Sequence, residues 1–288
     1  MAGLLVTLVV AGLTTGSFNA LVAVSFAVIY NTTKTFHIAH GATFLLAGYL
    51  SFALTEAGLP FFAVIPLVFL LSALFGALLD IGVYRPLRAV DAAHTTLLLA
   101  SLGVLIVAEG VAGLFFGTDS KNFENYPVEN VVGPLSMSNA DIGMLVCSLF
   151  VIGLALGLAR SRTGRMLRAV GDAPEMAAAL GIPVRRMFTL SFLVGSAAVV
   201  PAAMAYVWQQ GITPSVGLNA ILTGAAAVIL VNSGRVAAAA LVALGLTVVQ
   251  SLLVAVVPTG WSASGTFILL LIAVVARSDT FRKRRFAW

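Results

Sequence analysis

From Leu4 to Tyr30 the chain carries no charged side chain. Coiled as an α-helix at 1.5 Å per residue, that run reaches about 40 Å, more than the roughly 30 Å hydrocarbon layer of a bilayer. A soluble fold would have to wrap several such runs in polar surface that this chain does not possess. Of its 288 residues 60% are hydrophobic and 9% charged, and mean hydropathy is +1.06, whereas soluble domains carry about 25% charged residues. The composition is that of an integral membrane protein. The apolar runs lack the period-two alternation of an outer-membrane barrel, so they are read as helices.

Nine apolar segments follow one another, at roughly 4–30, 38–55, 61–82, 95–116, 140–159, 188–209, 216–230, 236–257 and 262–276. The expected fold is all-α: a polytopic helical membrane protein of eight to nine transmembrane segments, one domain over 1–288. The N-terminus has no positive leader and reads as an uncleaved first span. Orientation follows the excess of Lys and Arg on the cytoplasmic side. With the N-terminus outside, fifteen of sixteen basic residues fall inside and only Lys121 falls outside. A cytoplasmic loop then covers about 160–187, an external loop about 117–139, and the C-terminus is cytoplasmic. The net charge of +5 is face asymmetry, and no nucleic-acid partner is needed to explain it.

Two segments are too short or too broken for ordinary spans. Val216 to Leu230 would extend only about 22 Å as a helix, and it follows Pro214. His37, His40 and Gly41 open a second polar-headed segment. Half-length helices at corresponding positions of two halves point to a translocation pathway. A faint repeat agrees: Gly16-Ser17 precedes Gly41 and Gly48, and Gly195-Ser196 precedes Gly217 and Gly224. The two halves are therefore read as inverted repeats.

The basic stretch from Arg160 to Arg186 contains a short helix, Ala173 to Leu180, with both ends marked. Asp172 stands three residues before Glu175, the spacing of a capping box; Pro174 fits an opening turn, and Gly181 then Pro183 form the stop. Two turns are marginal in water on their own, so the segment is expected to dock against a partner.

Polar groups within the spans are candidates for the pathway. Glu109 is the one carboxylate near a span centre, where charge is costly; it reads either as part of a solute path or proton relay, or as a hydrogen bond to a neighbouring helix. His37 and His40 share a helix face, but no third ligand stands near them, so they read as a polar cap for a half-helix rather than a metal site. Thr14, Thr15, Ser17 and Asn19 line a pathway or bond across helices. Asp80 reads as an ion-pair partner of Arg85, and Cys147, the single cysteine, as a small packed apolar residue. No GxxxxGK[ST] phosphate loop occurs, so the chain is not expected to bind and split ATP itself, nor to be an enzyme.

The stretch GLTTGSFNALVAVSFAVIYNTTKTFHIAHGATFLLAGYL resembles the opening of the permease subunits of branched-chain amino acid ABC transporters, particularly the first of the two homologous permeases. The resemblance continues through YRPLR, LFFGTD, SRTGRMLRAVGDAPEMAAALGI and GITPSVGL, and so covers most of the chain. It implies a bacterial inner-membrane importer for a small solute, with branched-chain or hydrophobic amino acids first among the candidates. Urea, short amides and aromatic acids are alternatives on the same scaffold, and a proton-coupled carrier using Glu109 is the alternative outside it.

The resemblance further implies a second permease or second copy, two cytoplasmic ATPases that bind ATP and Mg, and a periplasmic solute-binding protein. No cofactor is expected on this chain. The ATPase contact would fall on Arg165, Arg168, Asp172, Glu175, Met176, Leu180 and Gly181, some of the basic residues anchoring membrane lipid instead. The pathway would draw on Ser17, Asn19, His37, His40, Gly41, Glu109, Gly217 and Asn219. Departures from the family pattern stand at His37-Ile38, at Val231-Asn232 and at Arg277 to Phe281.

Overall fold

A computed structural model of the chain describes residues 2–123, 139–231 and 235–255, with positions 264 and 268. The ninth expected segment, the departures at Asn232 and Arg277 to Phe281, the C-terminus and most of the 117–139 loop lie outside the described residues. Within them the fold is all-α, as the sequence predicts. The helices are α1 (Ala2–Thr33), α2 (His40–Glu56), α3 (Phe61–Leu79), which runs through a π-helical turn (Asp80–Tyr84) into α4 (Arg85–Ala89), α5 (His94–Phe116), α6 (Asn139–Arg160), α7 (Arg162–Asp172), α8 (Pro174–Ala179), α9 (Val184–Ala198), α10 (Val200–Gln210), α11 (Val216–Val231) and α12 (Val236–Leu253).

Among the described residues five stretches are long and apolar enough to cross a membrane: Leu5–Thr33, Phe61–Ala89, His94–Phe116, Val184–Gln210 and Val236–Leu253. The α6–α7 pair adds a sixth, bent by 72°. The break between α9 and α10 falls at Val199, just before Pro201, whose ring removes a donor and crowds the preceding turn.

α1 runs through the middle of the bundle, packed by α12, α9 and α11. Leu21, Ala23, Val24, Phe26 and Ile29 on it are all fully buried. The ends of α1, α6 and α7 and the starts of α9 and α12 gather at one basic end, which carries Lys34, Arg85, Arg160, Arg168, Arg185 and Arg235. At the opposite end Lys121 and Ile212 exchange backbone hydrogen bonds of 2.9 and 2.7 Å, fastening the segment after α5 to the turn before α11.

α2 and α11 are the half-helices. With 17 and 16 residues each reaches only about 25 Å. Both start inside the bundle. The His40 imidazole lies 2.8 Å from the hydroxyl of Ser25, eight residues or about 12 Å in from the basic end of α1. There the two starts meet: a Cβ placed on Gly41 would come within 2.6 Å of the Gly217 carbonyl oxygen. α2 then runs to one end and α11 to the other, since Gly48 packs against Ile212 while Gly41 packs against Gly217. The second pair of repeat glycines also makes close contacts, Gly195 against Ile29 and Ser25, and Gly224 against Val22 and Ala23.

Because the obstacle at Gly41 is backbone, it cannot swing away. Gly41→Val is therefore expected to destabilise the bundle by about 1–3 kcal/mol or more. Thermal unfolding in detergent measures it, and a melting temperature unchanged from the parent would show that α2 and α11 can part freely.

Candidate functional site

Toward the end opposite the basic one, α1, α10, α11 and α12 splay around a cavity of about 340 Å³. Its polar lining is Thr15, Asn19, Tyr206, Gln210, Asn219, Thr223, Thr247, Gln250 and Ser251, and Phe18, Val22, Phe44 and Ala220 supply apolar wall. Among the described residues no charged side chain lines it. Asn19 donates to the hydroxyl of Thr247 at 2.9 Å, joining α1 to α12 across the cavity wall. Beyond Val22 and Thr247 the same helices close up. There Ala23, Phe26, Ala27, Ala225 and Ala239 form one buried cluster of α1, α11 and α12. A small neutral or zwitterionic solute could exchange hydrogen bonds with these amides and hydroxyls, and the packed small residues stop it from passing further.

Of the residues expected on the pathway, Thr15, Asn19 and Asn219 line this cavity. Ser17 is buried and donates to the Thr14 carbonyl of its own helix at 2.7 Å. Gly41 and Gly217 form the half-helix contact. Glu109 is half-buried on α5, and its carboxylate accepts a hydrogen bond from the backbone N–H of Leu218 in the first turn of α11. Its partner is the start of a neighbouring helix, where unpaired N–H groups point. Apart from Asn219, the cavity residues on α10 to α12 escaped sequence reasoning, although Thr247, Gln250, Ser251 and Val254 recur at the spacing of one helix face.

His37 and His40 lie at the buried start of α2, both fully enclosed. His37 Nδ1 is 2.6 Å from the hydroxyl of Tyr84, the last residue of the π-helical turn. His37 Nε2 and His40 Nδ1 have no partner among the described residues. No group of three or more His, Cys, Asp or Glu among the described residues could hold a metal ion. Four residues before Tyr84, fully buried Asp80 pairs with Arg88 and, at 3.6 Å, with Arg85. The Thr189 hydroxyl of α9 donates to Asp80 at 2.6 Å and accepts from Arg85 at 2.9 Å. The sequence pointed to the Arg85 pairing alone; Arg88 and Thr189 complete it. Cys147 departs from expectation, facing outward on α6 rather than packed.

At the basic end, α7 was not anticipated. Ser161 caps it by accepting from the Gly164 N–H at 3.1 Å, and Leu167 and Val170 bury its apolar stripe against Ala177 and Met187. Gly164 and Gly171, two turns apart, let it press on the backbone of α6 and α1; a Cβ at Gly171 would fall 1.9 Å from the Asn31 carbonyl. Because α7 continues through Asp172, the capping box expected at Asp172 and Glu175 does not form. Ala173 stands at the start of α8 with no side-chain cap, and Asp172 reaches Lys34 at 3.9 Å instead.

The stop is as expected. Gly181 at φ +80° donates to the Ala178 carbonyl and Ile182 to the Ala177 carbonyl, at 2.9 and 3.0 Å, the paired bonds of a glycine-terminated helix. Ala177 is buried under α8, while Met176 and Leu180 are 66% and 75% exposed on its outer face. Arg165, Arg168, Asp172, Glu175 and Gly181 are also exposed around it.

The family model described as branched-chain amino acid transport system / permease component matches residues 8–276. The chain belongs to that family. It is a transport permease rather than a catalytic enzyme, and a multi-pass membrane protein. Among relatives, the permease is 28% identical over 257 residues to the high-affinity branched-chain amino acid transport system permease protein BraD of Pseudomonas aeruginosa, covering 83% of each chain. It is 25% identical over 281 residues to LivH, the corresponding permease protein of Escherichia coli K12, covering 92% of this chain and 91% of that one. Of solved structures, it aligns with PsaBC from Streptococcus pneumoniae in complex with Fab at a TM-score of 0.46 and 14% identity, over 94% of this chain and 90% of that one.

Proposed function

We propose that this permease forms the membrane pathway of an ABC importer for branched-chain or similar hydrophobic amino acids. The observation that carries the reading is a pairing of features on one chain: a neutral polar cavity closed at one end, and at the other end a short helix that shows solvent two large apolar side chains, Met176 and Leu180. The first suits a zwitterion whose charges need hydrogen bonds rather than a counter-ion. The second suits a partner protein, because large apolar side chains four apart on a two-turn helix gain from burial only if something covers them.

In this reading the basic end faces the cytoplasm, which its Lys and Arg content supports, and the N-terminus is outside. Two ATPases dock over Arg165, Arg168, Asp172, Glu175, Met176, Leu180 and Gly181, a second permease completes the pathway, and a solute-binding protein delivers from outside. The names of the relatives support the solute class. ATP and Mg belong to the ATPases, and this chain needs no cofactor. Closure of the ATPases moves α8 and, through α7 and α9, shifts α1 against α12, so that the apolar plug below Asn19 opens as the outer mouth shuts.

The deciding experiment is reconstitution of the permease in vesicles with its ATPases and binding protein. Leucine uptake should require ATP; uptake by the permease alone, driven by a proton gradient, would overturn the reading. For the cavity, Asn19→Leu with Asn219→Leu is expected to lower uptake at least about tenfold, roughly the loss of one or two hydrogen bonds to solute, without lowering the amount of folded protein. Uptake at the parental rate in the double variant would move the pathway elsewhere.

A further inference from the structure

A second groove, of about 630 Å³, lies at the basic end where α1, α6, α7 and α12 come together. Four cationic residues line it, Lys34, Arg160, Arg168 and Arg235, against a single carboxylate, Asp172. Below this rim the walls are apolar, including Val28, Ala155, Leu158 and Leu241. The rim lies where the spans end. α1 stops at Thr33, α6 at Arg160, and α12 begins at Val236, while α7 leaves α6 at 72° with its basic side exposed. That depth is the headgroup layer. Leu241, about 8 Å along α12 from its start, is 71% exposed, so the groove opens sideways at hydrocarbon level.

Lys34 adds a second observation at the rim. It ends α1 with its N–H donating to the Tyr30 carbonyl at 2.8 Å and a φ of +51°. Glycine is the residue that fits this left-handed position without cost, and a lysine there is strained. The strain places a cation on the rim. Its pairing with Asp172 at 3.9 Å, with side chains 46% and 78% exposed, is loose enough to leave the ammonium available.

We infer that this groove binds one anionic phospholipid of the surrounding leaflet, its phosphate on Lys34, Arg160 and Arg235 of the rim and an acyl chain along α6 and α12, with Arg168 and Asp172 left to the ATPase contact. A soluble anion would not use the apolar walls. A docked soluble segment would meet the groove from the aqueous side, whereas the opening beside exposed Leu241 lies within a span long and apolar enough to cross a membrane, where an acyl chain can enter. The site is independent of which solute the permease moves.

Native mass spectrometry of the full-length chain, purified in detergent and exposed to phosphatidylglycerol or phosphatidylcholine of matched acyl chains, tests it. Phosphatidylglycerol should be retained over phosphatidylcholine by at least about tenfold, with retention falling about fivefold for each cation removed among Lys34→Gly, Arg160→Gln and Arg235→Gln. Lys34→Gly is the decisive variant: it relieves the backbone, so thermal stability should hold or rise while lipid retention falls about fivefold. Equal retention of the two lipids, or full phosphatidylglycerol retention by the triple variant, would overturn the inference. So would displacement by millimolar inorganic phosphate, which would mark a soluble-anion site. Loss of the lipid when the ATPases are bound would mark a protein-docking surface instead, and would overturn it equally.

Discussion

Replacing Met176 and Leu180 together with aspartate is expected to abolish ATP-driven uptake while leaving the permease folded in the membrane. Both side chains are mostly exposed on α8, so neither contributes to the packing of the chain itself. Covered by a partner, each would contribute about 1.5–3 kcal/mol; with carboxylates there instead, docking should weaken by two orders of magnitude or more. The helix itself should persist, since Ala177 stays buried against Leu167 and Met187 and the Gly181 stop is untouched. Co-purification with the ATPases and uptake in vesicles read the two consequences. If the double variant carries solute at the parental rate with its ATPases bound, α8 is not the coupling element, and the exposed pair needs another occupant.

Asp80→Ala should produce the largest loss of stability, about 3–5 kcal/mol. Asp80 is fully buried and gathers two guanidinium groups and a hydroxyl from α4 and α9. Arg88 also lies over the ring of Phe188, 4.6 Å from its centroid, so it cannot easily leave for solvent when its carboxylate is gone. Removing one partner of a buried ion pair leaves the other charge unsatisfied, and that cost exceeds what the pair itself contributes. Thermal unfolding of the detergent-solubilised protein measures it. A further comparison sharpens the test: Thr189→Val removes only the bridging hydroxyl and should cost about 1–3 kcal/mol. A melting temperature that barely moves in Asp80→Ala would mean that water, not protein, satisfies the two arginines.

Under the proposed function, the same cluster connects the parts that move. Thr189 lies five residues into α9, close behind the α8 turn, and Tyr84 ends the π-helical turn that Asp80 begins. Tyr84 in turn touches His37 at the head of α2. π-helical turns inside spans are rare and concentrate at functional positions. Under the proposed function, a push on α8 has a continuous packed route to the half-helix start.

Sequence alone determined the membrane class, because a charge-free run such as Leu4 to Tyr30 has no other stable environment. It also placed the basic end, the two half-helices and the Gly181 stop, since each follows from local chemistry: hydrophobic length, charge, and a left-handed residue after a short helix. Even the repeat glycines were legible as a pattern. What they touch was not. Gly41 and Gly217 are far apart in the chain and meet only in the folded bundle, and α7 looked like a polar loop until its apolar stripe found Met187. The tertiary structure alone decided that Asn19 and Asn219 face a common cavity while Ser17 turns back on its own helix and Glu109 caps the start of α11. Helical periodicity states which residues share a face; which neighbour covers that face depends on packing between segments distant in sequence, where one backbone contact or one buried charge selects among arrangements of similar hydrophobic content.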